Sequence, residues 1–350
     1  MLNNSIRRCR DNPVISINDV SPTTKQMQVI GIFNCGGAKL NGKTYLLCRI
    51  AEILKSPREG VLTVPIFDLH GQPSSMTFDL SDPKFDFSDN RVVVERKTGK
   101  IVSLTSFSTF RLAVSDDGVH FIIGETPCMP LNPILEEWGM EDPRVTPLED
   151  QFYITYSSVS RHGVGVSLSS SNDFKSFKQI GMILPPANKD AVLFPEKING
   201  KYYLLHRPSL GGGGIGNSNV WIADSSDLLH WGNHKPLFDC ETGNEWESQK
   251  IGAGAPPIRI PQGWLVLYHG VDIQQRYSMG AIILDHDDPS IILSRSAHPI
   301  LEPEMEYETS GFFSNTVFPC TAFLNGSDVV IYYGAADKSI CRVDIPLKTF

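Results

Sequence analysis

The sequence predicts an all-β chain arranged as a five-bladed β-propeller, with the active site at the mouth of the central channel. Three observations carry that prediction. A hairpin-like unit recurs five times, a Ser/Asp turn signature follows most copies, and helical periodicity is almost absent.

The five units are GIFNCGGAKLNGKTYLLCRI (31–50), GMEDPRVTPLEDQFYITYSS (139–158), KDAVLFPEKINGKYYLLHRP (189–208), GAGAPPIRIPQGWLVLYHGV (252–271) and NTVFPCTAFLNGSDVVIYYGA (315–335). Each has a small or polar lead-in, a short apolar strand, a tight turn and a second strand rich in Tyr, Leu and Val. The turns are Asn41-Gly42, Glu149-Asp150, Asn199-Gly200, Gln262-Gly263 and Asn325-Gly326. Asn-Gly suits the positive backbone angles of a two-residue hairpin. The second signature is a strand, a Ser/Asp turn and an aromatic, in TFRLAVSDDGVHF (109–121), GVGVSLSSSNDFKSF (163–177) and NVWIADSSDLLHW (219–231). A diverged fourth copy is MGAIILDHDDPSII (279–292). Two hairpins make a four-stranded sheet, and five sheets make a ring that leaves few open edges. The expected organisation is one domain over 1–350, with SICRVDIPLKTF pairing with N-terminal strands to close it. A two-domain β-sandwich is the alternative, but it does not explain polar lead-ins recurring at the same place in every unit.

The totals narrow the function. A net charge of −8 over 350 residues argues against nucleic-acid or anionic-membrane partners. Seven scattered cysteines without a Cys-x-x-Cys read as reduced thiols of a cytoplasmic protein, not as a disulfide frame or zinc site. MLNNSIRRCRDNP has no apolar core of a secretory signal, and no stretch approaches a membrane span.

In a propeller the innermost strands line the channel, so the lead-ins converge on one mouth. The positions collected there are Asn34 and Arg49; Glu141, Asp142 and Arg144; Lys189; His206 and Arg207; Lys250; Tyr268 and His269; and Asp337. The set offers an acid pair and a surplus of cations. Lys189, Arg207 and Lys250 repel one another when empty, which points to an oxyanion such as phosphate. A carboxyl beside that anion is pushed up by its charge and down by Arg144, so a proton donor is available near neutral pH. Trp138, Trp246 and Tyr268 are expected as aromatic flanks for a sugar.

Plainer roles stand beside these. Glu-Asp-Pro-Arg alone is equally a structural corner with Arg144 paired to Glu141, and His206 or His269 is as readily a satisfied core histidine. Asp116, Asp117, Asp173 and Asp227 belong to the repeated turns. SLGGGGIGNS (209–218) lacks the strand-to-helix context of a nucleotide cradle and reads as a flexible loop. DHDDPS (285–290) lacks the twelfth-position glutamate of a calcium loop and reads as a turn. No metal is expected.

Six ordered segments, GMEDPRVT, KDAVLFPEKINGKYYLLHRP, WESQKIGAGAPPI, GWLVLYHG, PILEPEMEYETSGFFSNTVFPC and YYGAAD, resemble glycoside hydrolase family 130, the mannoside phosphorylases and related β-mannosidases. The resemblance covers nearly the whole chain. It implies a five-bladed propeller and an inverting phosphorolysis of a β-mannoside di- or oligosaccharide, of the β-1,2-linked kind. Phosphate, a co-substrate and not a cofactor, attacks the anomeric carbon and α-mannose 1-phosphate leaves. By resemblance Asp142 is the general acid, acting through the 3-hydroxyl of the mannosyl unit. Lys189, Arg207, Lys250 and His269 match phosphate-binding positions; Lys189 stands where the family usually has Arg. Asn34, Arg49, Arg144, Asp337 and, less closely, Glu308 match residues contacting the mannosyl unit. The family's hydrolases lack the basic cluster and use carboxylates to activate water. An inverting β-mannosidase is therefore the alternative activity, and a non-catalytic carbohydrate-binding propeller the third. The loops expected to select the acceptor are 51–60, 211–219 and 240–249. Homo-oligomers occur in the family, and nothing in the sequence fixes a subunit number.

Overall fold

The structure, a computed structural model, describes residues 6–55, 58–68, 72–209, 219–240 and 244–350. The predicted turns set the local geometry. Asn41 and Gly42 have φ of 51° and 79°, and Asn199 and Gly200 have 50° and 79°, the double positive values of a hairpin that follows strand twist. The second signature is a repeated hydrogen-bond device. The hydroxyl oxygens of Ser115, Ser171 and Ser225 each accept from the amides two and three residues on. The carboxylates of Asp117, Asp173 and Asp227 repeat this two residues later. In the diverged copy Asp285 takes the serine's place, accepting from Asp287 and Asp288. The DHDDPS stretch is thus a turn, as expected.

Among the described residues the chain forms five blades in antiparallel order, each with its first strand innermost. Blade 1 is Met27–Leu40, Lys43–Leu54, Phe107–Ser115 and Ile122–Ile123. Blade 2 is Met140–Leu148, Gln151–Ser160, Gly163–Ser171 and Lys178–Leu184. Blade 3 is Asn188–Leu193, Tyr202–Pro208, Val220–Ser225 and Gly232–Phe238. Blade 4 is Lys250–Ala253 with Ile258–Ile260, then Gly263–Val271, Tyr277–Leu284 and Ile292–Arg295. Blade 5 is Val317–Asn325, Asp328–Ala335, Ser339–Pro346 and, from the other end of the chain, Arg7–Arg8.

Side chains alternate across each sheet, so every blade has an apolar face for each neighbour. Five buried clusters result, one per interface. Ile154 and Tyr156 meet Leu47 and Phe110; Leu168 meets Leu204; Ile222 meets Trp264; Leu267 meets Ile331; and Ile32 and Leu46 meet Tyr332 and Ile340. The last contact joins blade 5 to blade 1 and closes the ring.

The closure is the one predicted from the C-terminal strand. Arg7 pairs with Asp344 and Arg8 with Val343, and Ile15 bridges Ile340. Arg8 also reaches back into the ring. Its Nε and Nη2 donate to the two oxygens of Glu308 (2.8 and 3.1 Å), which also accept from Tyr333 Oη (2.7 Å) and the Glu304 and Met305 amides. Glu308 is fully buried there. Breaking a buried ion pair from one side costs about 3–5 kcal/mol. Arg8→Ala is therefore expected to lower the calorimetric unfolding midpoint by several degrees, and an unchanged midpoint would show that the pair does not hold the ring shut.

One element has no counterpart in the repeat. Between the second and third strands of blade 1 lie a hairpin, Val61–Phe67 with Pro73–Asp79, and a three-stranded sheet, Phe85–Asp86, Val92–Glu95 and Lys100–Leu104. They share a small core of Val64, Phe78 and Val93. Residues 51–54, expected as the start of an acceptor loop, continue the blade strand instead.

Candidate active site

Three consecutive blades build the cavity with the same backbone device. The inner strands of blades 1, 2 and 3 each lose register with their neighbour, between Phe33 and Gly36, Glu141 and Arg144, and Lys189 and Val192. Inside each bulge one residue takes a left-handed backbone: Asn34 (φ 47°), Asp142 (51°) and Asp190 (53°). Bulges re-aim side chains at active sites, and Asn and Asp tolerate this conformation better than other side chains. All three residues line one cavity of about 230 Å³, together with Arg49, Glu141, Lys189, Arg207, Lys250, His269 and Asp337.

On the acid side, Arg49 Nη1 and Asn34 Nδ2 both donate to Asp142 Oδ1, at 2.8 and 2.9 Å. No described residue bonds Oδ2, which is left for a ligand hydroxyl. Arg49 Nη2 holds Glu141 (2.7 Å), its Nε holds Ser108 (3.0 Å), and its guanidinium lies 4.7 Å over Phe33. Burial opposes ionisation of Asp142, but Arg49, Arg144, Lys189 and the Asn34 amide outweigh it and hold the carboxyl below its usual range. Asp337 behaves oppositely. Burial, with help from Asp142 and Glu141, pushes it up to about 7 against Arg49 and Arg91. Asp337 is thus the carboxyl of this group whose charge burial disfavours most.

On the anion side, Lys189 and Arg207 are cross-strand partners in blade 3. Arg207 Nε and Nη2 both reach Asp190 Oδ2, at 2.8 and 2.7 Å. Lys250 donates to Tyr277 Oη. Burial and the charges of Arg207 and Lys189 bring Lys250 down to about 8. His269 stacks on Phe318 at 4.5 Å and Tyr277 at 5.7 Å, with Nε2 3.9 Å from Asp190 Oδ2. Burial brings it down to about 3, so it is neutral and adds no charge to the cluster.

Four residues expected at the cavity do not line it. Arg144 is buried beneath it, donating to Gly254 O (2.5 Å) and Pro143 O (3.1 Å) and lying over Phe318; it acts on Asp142 by charge alone. His206 and Tyr268 each precede a cavity residue on a strand, and alternation turns them away. His206 bonds Asn188 and His234, both at 3.0 Å. Tyr268 donates to Glu247 (2.8 Å) inside the cluster between blades 3 and 4. Glu308 serves the ring closure. The expected aromatic flanks are also elsewhere: Trp138 is buried, and Trp246 packs against Tyr268 with tilted rings. Phe33, Tyr277, Phe312, Phe313 and Phe318 take that place. Of the proposed acceptor loops, 211–219 lies outside the described residues save for 219, whereas in 240–249 only 241–243 do, and Glu245–Glu247 forms a short helical turn.

Sequence reasoning missed Asp190 and Arg91. Asp190 carried a signal, since Lys-Asp in KDAV stands where Glu-Asp stands in EDPR. Arg91 carried none, because it comes from the inserted sheet, which belongs to no repeat.

Residues 83–349 match the family 130 model described as β-1,4-mannooligosaccharide phosphorylase. A β-1,2-mannobiose phosphorylase of Listeria innocua is 42% identical over 98% of this chain and 97% of its own. A 1,2-β-oligomannan phosphorylase of a Thermoanaerobacter species is 37% identical over 72% of this chain and 81% of its own. The solved structure of the Listeria enzyme with β-1,2-mannobiose superposes with a TM-score of 0.93, covering 98% of this chain and 97% of that one, at 41% identity. With the family model matching 83–349 and the Listeria relative 42% identical over 98% of the chain, the chain belongs to glycoside hydrolase family 130.

Proposed function

We propose that this chain is an inverting phosphorylase of β-1,2-mannobiose or short β-1,2-mannooligosaccharides. Phosphate forms a bond to the anomeric carbon from the face opposite the leaving oxygen, and α-mannose 1-phosphate and a sugar one unit shorter leave. The observation that carries this reading is a single cavity holding Asp142 together with Lys189, Arg207 and Lys250. The departing oxygen needs one proton. By the family's pattern it comes from the 3-hydroxyl of the mannosyl unit, which Asp142 reprotonates through its unclaimed oxygen. Bound phosphate offsets the cations that keep Asp142 ionised, and so favours its protonated form.

Hydrolysis would need a carboxylate to activate water on the anion side. Asp190 is a carboxylate there, but the Arg207 pair holds it far below its usual range and makes it a poor base. Phosphate arrives already nucleophilic and needs no base. The reaction calls for no cofactor, and we place the enzyme in the cytoplasm, where its seven free cysteines would persist. The test is product analysis of β-1,2-mannobiose with and without phosphate. Mannose 1-phosphate formed only with phosphate is expected; free mannose at a phosphate-independent rate would overturn the reading.

Asp337 gives a pH signature. Its carboxyl is raised from 3.8 to about 7 in the folded chain, so between those values the folded state binds more protons than the unfolded one. Its contribution is complete below the lower value and is lost as pH rises through the upper one. Asp337→Asn cannot ionise and should flatten that decline in urea unfolding measured at both ends of the window. An unchanged pH slope in the variant would contradict the assignment.

A further inference from the structure

We propose that Asp190 makes the anion subsite selective for oxyanions that still carry a proton, phosphate and arsenate, over fully ionised sulfate. This rests on the phosphorolytic reading and deepens it. Lys189, Arg207 and Lys250 attract any tetrahedral dianion, and hydrogen phosphate and sulfate match in size and charge. The difference between them is one hydrogen, and a cation cannot read it.

Asp190 can. It is 6% exposed and lines the cavity. Both Arg207 bonds fall on its Oδ2, which is also the oxygen nearest His269 Nε2, while Oδ1 accepts from no described residue. Burial opposes its charge, but Arg207, Lys189 and Arg144 keep it ionised. An ionised carboxylate accepts hydrogen bonds and donates none. Hydrogen phosphate can give its P–OH to Oδ1 and turn its other oxygens to the three cations. Sulfate can only set a lone pair against a lone pair, in a buried place where an unmade bond is costly.

The surroundings keep this carboxylate in place. A Cβ at Gly252 would lie 2.4 Å from Asp190 Oδ2 and 2.4 Å from His269 Cε1, so the facing blade offers no side chain there. His269 Nδ1, on the ring whose Nε2 faces Asp190, is buried and has no hydrogen-bond partner among the described residues.

The test is calorimetric titration of the intact wild-type chain with phosphate, arsenate and sulfate at neutral pH and constant ionic strength. Sites built to pair with a hydroxyl reject analogues lacking it strongly, so sulfate is expected to bind about 100-fold or more weaker than phosphate, and arsenate like phosphate. Asp190→Asn keeps the shape and the left-handed backbone but offers an amide that can donate to sulfate. Its sulfate-to-phosphate ratio should collapse to within about threefold. Loss of charge and any shift of Arg207 act on both anions alike, so the ratio isolates the reading of the proton. Wild-type affinities for sulfate and phosphate within about tenfold of each other, or a variant that keeps the wild-type ratio, would overturn the proposal. The wild-type arms decide even where the variant does not fold. Binding needs no turnover, so an enzyme that selects phosphate yet releases only free mannose would sink the phosphorylase reading and leave this one standing.

Discussion

Asp142→Asn is expected to lower the rate of phosphate-dependent mannose 1-phosphate release by about 10²–10⁴-fold, the usual contribution of a positioned general acid. The substitution is conservative in every other respect. Asn tolerates the left-handed backbone that Asp142 adopts (φ 51°). Its carbonyl oxygen can still accept from Asn34 and Arg49, the two donors that now meet at Oδ1. The unfolding midpoint should therefore stay close to that of the wild type while kcat falls. Turnover near the wild-type rate in a folded variant would remove Asp142 from the mechanism.

Arg207→Ala is expected to raise the phosphate KM by about 30-fold or more, since truncating one member of a buried, hydrogen-bonded charge pair costs about 2–5 kcal/mol. Two effects add. The subsite loses a cation, and Asp190 loses the partner that offsets its charge, so the incoming anion meets a bare carboxylate. The same exposure of a buried charge should destabilise the fold by about 3–5 kcal/mol, measurable in urea. Arg207→Lys should recover part of the phosphate affinity, since it restores the charge but not the two-pronged grip on one oxygen. A variant with wild-type phosphate KM would mean that the nucleophile binds elsewhere.

The sequence carried the ring well and the walls of the cavity less evenly. Blades were legible because each is written in the same local grammar of apolar strand, Asn-Gly turn and Ser/Asp turn. The lead-in rule found Asn34, Arg49, Asp142, Lys189, Arg207, Lys250, His269 and Asp337, all of which line the cavity. It overreached at His206 and Tyr268, because a repeat marks a segment while the side of the sheet depends on a register that bulges shift. Glu308 was expected from the resemblance and not from the lead-ins, and its burial against Arg8 depends on a contact across nearly the whole chain. The lead-in rule fell short at Arg91, where a nonrepeating insertion brings a cation to the rim beside Phe313.

The kinks at Asn34, Asp142 and Asp190 restrict what evolution or design can place there. Among side chains that sit comfortably in such a twist, glycine brings no reactive group, which leaves a short amide or a short acid. Each of the three wall positions thereby favours a short amide or acid, and new chemistry at this pit is more accessible through the cationic and aromatic neighbours than through the kinked residues themselves.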